Sequence, residues 1–335
     1  MTTFLIRRLS LLVLVLLGVS LLTFFISHVV PSDPARQAAG PHASSEQVQI
    51  LRAKLGLDKP LPEQYWIFMK GLLKGDLGYS LYSRRNVSED IKAYFPATIE
   101  LTITAMLICI VVGVPLGILS AVRKDTWIDH LIRGISISGV GLPIFWLALL
   151  FQLIFYRWLN ILPSGGRIDP TLAHPASITG LYVLDSLLSG NWAALRSSLF
   201  YLIMPAITLA FASLAWIARV TRISMLETLD ADYIRTARGK GFSERKMLYL
   251  HALPNALIPT ITLIGLQIGS LLSGAFLVEI IFSWPGIGFY TYTSIMAMDF
   301  NAIMSSTLLI AVVYTVTNLL VDILYMAIDP RIKYT

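Results

Sequence analysis

Six stretches of this chain carry no Asp, Glu, Lys or Arg and are each long enough to cross about 30 Å of hydrocarbon. They are Leu9–Val30, Leu101–Val122, Gly134–Tyr156, Leu199–Ala218, Asn255–Val278 and Phe300–Val321. In hydrocarbon the backbone must satisfy its own hydrogen bonds, so windows of this length are read as helices and the chain as an all-α membrane protein with six transmembrane helices. A composition of 56% hydrophobic and 14% charged residues excludes an ordinary soluble domain. The first window is too long for the core of a secretory signal, and the sequence after it, HVVPSDP, has no small-x-small cleavage site. We read it as an anchor, and Arg7-Arg8 before it as an ordinary basic flank.

Lys and Arg set the expected orientation. Arg7, Arg8, Arg123, Lys124, Arg133, Arg219, Arg222, Arg235, Arg238, Lys240, Arg245, Lys246, Arg331 and Lys333 fall on one side of the six windows. Most of the others lie in the single long segment 31–96, and long translocated segments escape the positive-inside rule. Both termini and the segment Arg219–Pro254 are therefore expected in the cytoplasm. The division is 1–30 as cytoplasmic N-terminus and first helix, 31–96 as an extracytoplasmic segment with interfacial helices, and 97–335 as a five-helix core that includes the cytoplasmic loop 219–254. The net charge of +6 follows from topology and gives no reason to expect nucleic acid.

The polar segment Arg219–Pro254 has the pattern of a short helix built to be gripped. Asp230 is placed to cap it and Asp232 lies in its first turn, while Arg235, Arg238 and Lys240 follow, the charge order a helix dipole favours. Gly239 and Gly241 can end it, and Ser243 with Glu244 can start another helix. Tyr233, Ile234 and Ala237 recur at helical spacing and form an apolar face that fits a groove.

On the other side, Leu61, Tyr65, Phe68, Met69 and Leu72 make an apolar stripe, with Trp66 and Lys70 beside it, as in a helix lying at a membrane interface. Gly75-Asp76-Leu77-Gly78 reads as a tight turn. The patch Leu181–Leu188 contains Asp185 and is read as a second interfacial element. Phe282 to Gly288 should break the fifth helix near the outer interface, where Trp284 is expected. Gly113-x-x-x-Gly117 and Gly265-x-x-x-Gly269 let helices approach closely, and Pro115 and Pro143 can bend theirs.

The absences narrow the function. There is no G-x-x-x-x-G-K-[ST] string, so the chain has no P-loop of its own. The five histidines lack metal-ligand spacing, and Cys109 is alone inside the second window. A secondary transporter or channel needs ionisable or ringed polar groups within the spans, and a membrane-embedded enzyme needs a cluster of His, Asp, Cys or Ser; the windows offer little of either.

The loop resembles the one carried by permease subunits of binding-protein-dependent ATP-binding-cassette importers. That pattern is Glu-Ala-Ala, three residues, Gly, nine residues, Ile-x-Leu-Pro. Ala237, Gly241, Leu253 and Pro254 fall on it at the correct spacing, while Arg235, Thr236 and His251 depart from it. The form DYIRTARGKG followed by HAL and NA is similar to the dipeptide, oligopeptide and nickel branch. IRRL, PSDP, LGLDKPLPEQY, GDLGYS, FPATIEL, VEIIFSWPGIG and NLLVDILYMAIDPRI extend the likeness along the chain, above all to B-type permeases of dipeptide transporters.

This resemblance implies a type I importer permease of MetI-like fold that forms half of a pathway for di- or oligopeptides. It also implies a homologous second permease, two ATPase subunits that carry the ATP and Mg, and an extracytoplasmic substrate-binding protein. No cofactor or metal belongs to this chain itself. Nickel chelates, opines, glutathione and oligosaccharides are the alternative substrates. The ATPase contact is expected at Asp232, Tyr233, Arg235, Thr236, Ala237, Arg238, Gly241, Leu253 and Pro254. Neutral polar groups inside the windows, Gln267 with Ser270 and Gln152, are the pathway candidates. Asp76, Glu279 and Asp299 are candidates for meeting the binding protein or a substrate ammonium.

Overall fold

The computed structural model describes residues 2–29, 35–36, 43–54 and 56–328. The PSDP motif, the final DPRI, Arg331 and Lys333 lie outside the described residues. The elements in order are α1 (Thr2–Val29), α2 (Ser45–Lys54), α3 (Leu61–Leu73), α4 (Val87–Val122), α5 (Trp127–Gly141) and α6 (Ile144–Trp158). They continue with α7 (Tyr182–Leu188), α8 (Trp192–Leu229), α9 (Asp232–Gly239), α10 (Glu244–Ile281), α11 (Ile287–Met296) and α12 (Phe300–Ile328). Among the described residues the only strand-like pairing is one isolated bridge, Tyr79 to Asn86. Five helices are long and apolar enough to cross a membrane, or six if the bent pair α5–α6 is one span.

Three differences from the sequence expectation have simple causes. The third window is two helices meeting at 112°. Leu142 is extended (φ −86°, ψ 129°) because the ring of Pro143 disfavours helix in the residue before it, so Pro143 breaks the helix where a bend was expected. Second, α8 does not stop at Arg219: no Gly or Pro lies between Ala206 and Asp230, and the helix runs on to Leu229. With α10 starting at Glu244, much of the expected loop Arg219–Pro254 is helical. Third, α4 begins at Val87, well before the second apolar window opens at Leu101.

Prolines also explain two of the three π turns among the described residues. One at Cys109–Gly113 precedes Pro115, and one at Met247–Ala252 precedes Pro254. A proline has no N–H for the carbonyl four residues back and its ring crowds that carbonyl, so an opened turn relieves both defects.

The described residues form two compact units, those within 1–96 and 286–316, and those within 97–285 and 317–335. In the first, α3 presents its stripe to α1: the hydroxyls of Tyr65 and Ser20 are 2.8 Å apart, and the Phe24 ring packs on Tyr65 and Phe68. The expected turn at 75–78 is present, with Gly75 and Gly78 at φ 79° and 80°. In the second unit α8 is the axis, packed by α4, α5, α6, α7 and α10. Gly117 lets α4 approach α8 closely, since a Cβ there would sit 2.6 Å from the Ala218 carbonyl oxygen. Trp284, expected at an interface, is buried in this core, where its indole N–H donates to the Ala97 carbonyl at 2.9 Å. A partner for that N–H allows the whole ring to leave the surface. The α7 segment is only seven residues long and cannot span a membrane.

Candidate functional site

α9 is an eight-residue helix, too short to be stable alone in water. Its N-cap is Ala231 in extended conformation; Asp230, the expected cap, instead closes α8. Asp232 occupies the first turn and Arg238 the last. Lys240 closes the C-terminal end, and Gly241 at φ 77° reverses the chain with its N–H on the Arg238 carbonyl. Ser243 then takes the N-cap position of α10 in extended conformation, without a capping bond from its hydroxyl.

What holds α9 is one apolar face. Ile234 and Ala237 are buried, and Ile234 joins a cluster with Met225 of α8, Ala121 of α4, and Met247, Ala252 and Ala256 of α10. Leu253 packs against the same cluster, while Pro254 is exposed. Burial of the isoleucine alone contributes about 2 kcal/mol. The apolar face expected to enter a groove is therefore already used inside the chain. The outward face consists of Asp232, Tyr233, Arg235, Thr236 and Arg238, continued by Lys240, Gly241, Arg245 and Lys246, all exposed. Arg235 lies 3.6 Å from Asp232 and Arg238 3.2 Å from Glu244, surface pairs that leave a basic excess. Tyr233 is fixed by its hydroxyl, which accepts from the Asn255 amide at 3.1 Å; that amide also donates to the His251 carbonyl. Nothing lies within contact distance of a Cβ built on Gly241, so the space beside this turn is open.

The other candidates lie apart from α9. The Gln267 carbonyl oxygen accepts from Ser213 at 3.2 Å, and Ser270 is exposed. Gln152 donates to the carbonyls of Ser164 and Ile281, tying the chain after α6 to the end of α10. Glu279 is fully buried and accepts from the Thr98 hydroxyl at 2.6 Å. Asp299 is buried in the other unit and accepts from the Ser80 hydroxyl and the Tyr82 N–H. Asp76 alone of the three acids is exposed, and it accepts from the Gly78 N–H.

Among the described residues of the second unit, three buried carboxylate assemblies escaped the sequence reading. Asp129 on α5 accepts Arg222 of α8 in a bidentate pair, both bonds 2.7 Å. Arg167 donates twice to one oxygen of Glu100, and its guanidinium lies 3.7 Å over the Tyr182 ring. Asp185 on α7 collects the Thr179 hydroxyl and the N–H groups of Ile178, Thr179 and Gly180. Burial opposes ionisation of Asp185, but those four donors outweigh it and hold the carboxyl below the usual carboxylate range. Charge alone marked these residues; the pairing of Asp129 with Arg222 and of Glu100 with Arg167 spans long sequence separations and did not show in one dimension. Among the described residues no group of His, Cys, Asp and Glu is arranged to hold a metal.

Residues 113–334 match the family described as the binding-protein-dependent transport system inner membrane component, and residues 1–102 match the N-terminal part of the membrane component of such systems. The chain belongs to this family. It is 49% identical over 321 residues, 96% of this chain and 94% of the relative, to a probable D,D-dipeptide transport system permease of Escherichia coli strain K12. A dipeptide transport system permease of Alkalihalophilus pseudofirmus is 47% identical over the full length of both chains. A glutathione transport system permease of Escherichia coli O6:H1 is 38% identical over the full length of both. The protein is thus a transmembrane permease, an inner-membrane component of an importer-type system that works with a separate binding protein. It is all-helical and MetI-like in fold, and it is not itself the ATPase.

Proposed function

We propose that this permease forms half of the inward pathway for dipeptides or somewhat longer peptides and that α9 is its contact with an ATPase subunit. The other half of the pathway is a homologous second permease. Two ATPase subunits carry ATP and Mg, and a binding protein delivers peptide from outside. The termini and α9 face the cytoplasm. The identities to relatives named for dipeptides, 49% and 47%, favour a dipeptide over the glutathione of the relative at 38%.

The observation that carries this reading is the division of α9 into two faces. One is packed into α4, α8 and α10; the other is polar, basic and exposed, with open space beside Gly241. A helix seated this way moves with the helices beneath it, so closure of the ATPases on nucleotide displaces the core instead of peeling off a loop. To swing such a core from 1:99 to 99:1 takes about 5.5 kcal/mol of differential binding. The partner's groove must suit Tyr233 and carry acidic groups opposite Arg235, Arg238 and Lys240. Of the outer acids, Asp76 is the exposed one, and its exposure supports it as the candidate for meeting the binding protein. Gln267 and Ser270 remain pathway candidates as neutral polar groups on α10.

The test is Gly241→Trp in the reconstituted transporter. At φ 77° an indole side chain is strained, and it fills the open space through which the partner approaches. Transport should be lost and ATP hydrolysis should no longer respond to the loaded binding protein, while the permease stays inserted. Retention of both activities overturns the assignment of α9.

A further inference from the structure

α9 passes its load to the rest of the chain through a narrow joint. Beneath Ile234, Met225 belongs to α8 and Ala121 to the end of α4. Arg222 lies three residues before Met225, close to one turn along α8, and Ser120 directly precedes Ala121. Both side chains converge on Asp129 in the first turn of α5, whose carboxylate is fully buried. One oxygen accepts Arg222 Nε at 2.7 Å and the Ser120 hydroxyl; the other accepts the second Arg222 nitrogen at 2.7 Å and the Asp125 N–H at 3.1 Å. In the same layer the hydroxyls of Thr221 and Thr260 link α8 to α10 at 3.1 Å, and Gly117 of α4 rests on α8. A planar two-bond fork between guanidinium and carboxylate fixes relative orientation as well as distance, which apolar packing between helices does not.

We propose that Asp129 and Arg222 are positioning residues for transport: their clamp makes the adjoining ends of α4, α5 and α8 follow α9 as one body. Displacement of α9 then reaches α5, and through it the sharp break into α6 at Leu142-Pro143, instead of dissipating between helices. The inference rests on α9 being the ATPase contact.

The experiment uses the whole transporter, with both permeases and the ATPases in lipid nanodiscs, and Cys109→Ala in this chain. Spin labels are attached at Ser243→Cys, in the turn that follows α9 and outside its outward face, and at Arg133→Cys, both exposed positions. With the clamp intact, the distance between them is the same without nucleotide and with ATP trapped on hydrolysis-impaired ATPases. In Asp129→Leu/Arg222→Met, which keeps the bulk without the charges, ATP shifts or broadens that distance. Radiolabelled L-alanyl-L-alanine transported per ATP hydrolysed then falls severalfold in a variant with active ATPases. Arg222→Lys, which keeps the charge but removes the fork, should act in the same direction and serves if the pair variant fails to assemble. An ATP-dependent distance in the intact protein, or native behaviour of the variants, overturns the proposal. If Gly241→Trp uncouples while the clamp variants behave natively, only the clamp is wrong; if Gly241→Trp is itself harmless, the underlying reading of α9 fails.

Discussion

The two short connecting helices α7 and α9 are built inside out relative to each other. In α9 the apolar residues Ile234 and Ala237 are buried and the charged residues point away. In α7 Asp185 and Ser186 are buried, while Leu184, Leu187 and Leu188 are exposed. A carboxylate goes inside only when donors replace its water, and Asp185 has four of them. Leucines turned outward suit contact with lipid or a membrane-embedded neighbour; arginines turned outward suit water and an acidic partner. The same length of connection can therefore either continue the membrane surface or present a handle, and polarity of the outer face separates the two.

The largest expected effect is at the seat of α9. Ile234→Ala removes the buried anchor of a helix that is not stable alone, and should cost about 2–5 kcal/mol locally. Co-purification of the ATPase subunits should fall sharply while membrane insertion stays normal; undiminished co-purification breaks the idea of a seated handle. Next is Asp185→Leu, which strands the N–H donors of Ile178, Thr179 and Gly180 and should cost about 1–3 kcal/mol. A fall in Tm without loss of ATPase association is expected, and a change confined to association would erase the contrast between the two helices. Arg235→Glu with Arg238→Glu should leave Tm within about 0.5 kcal/mol equivalent, as exposed substitutions do. Association with the ATPases should weaken, most of all at low salt. If it is indifferent to charge reversal, the partner groove is not acidic.

The smallest effect is the pH dependence of α7. The folded state holds the Asp185 carboxyl below its unfolded value, so its ionisation contributes stability above roughly pH 4 and that contribution disappears as pH falls through the folded value. Titrating Tm of the native chain against Asp185→Asn should show a gap at neutral pH that closes in acid. A constant gap would mean that the hydrogen bonds matter and the charge does not.

Much of the fold was legible in one dimension because lipid leaves so few solutions: charge-free windows of membrane length become helices. Their ends were less legible, since a helix stops at Gly, Pro or a cap rather than at its first charge. That is why α8 carries Arg219 and Arg222 beyond its apolar window. The bend at Leu142-Pro143 was marked by its proline, but not its angle. At the site, Gly241 and Ser243 were readable as local backbone punctuation. The direction of the α9 face was not, because Ile234 meets Met225 and Ala121 only after α4 and α8 have packed. Glu279 and Asp299 were read as surface acids from their place at helix ends, and the hydroxyls that let them be buried sit far away in sequence, at Thr98 and Ser80.

The central claim is that the outward face of α9 lies in the cytoplasm beneath an ATPase. A membrane-impermeant maleimide and a single cysteine at Arg235, in a Cys109→Ala chain, test it most directly. The cysteine should be silent in intact cells, react in inside-out vesicles containing the permeases alone, and be protected when the ATPase subunits are bound. Labelling in intact cells, or equal labelling of vesicles with and without bound ATPases, would contradict it.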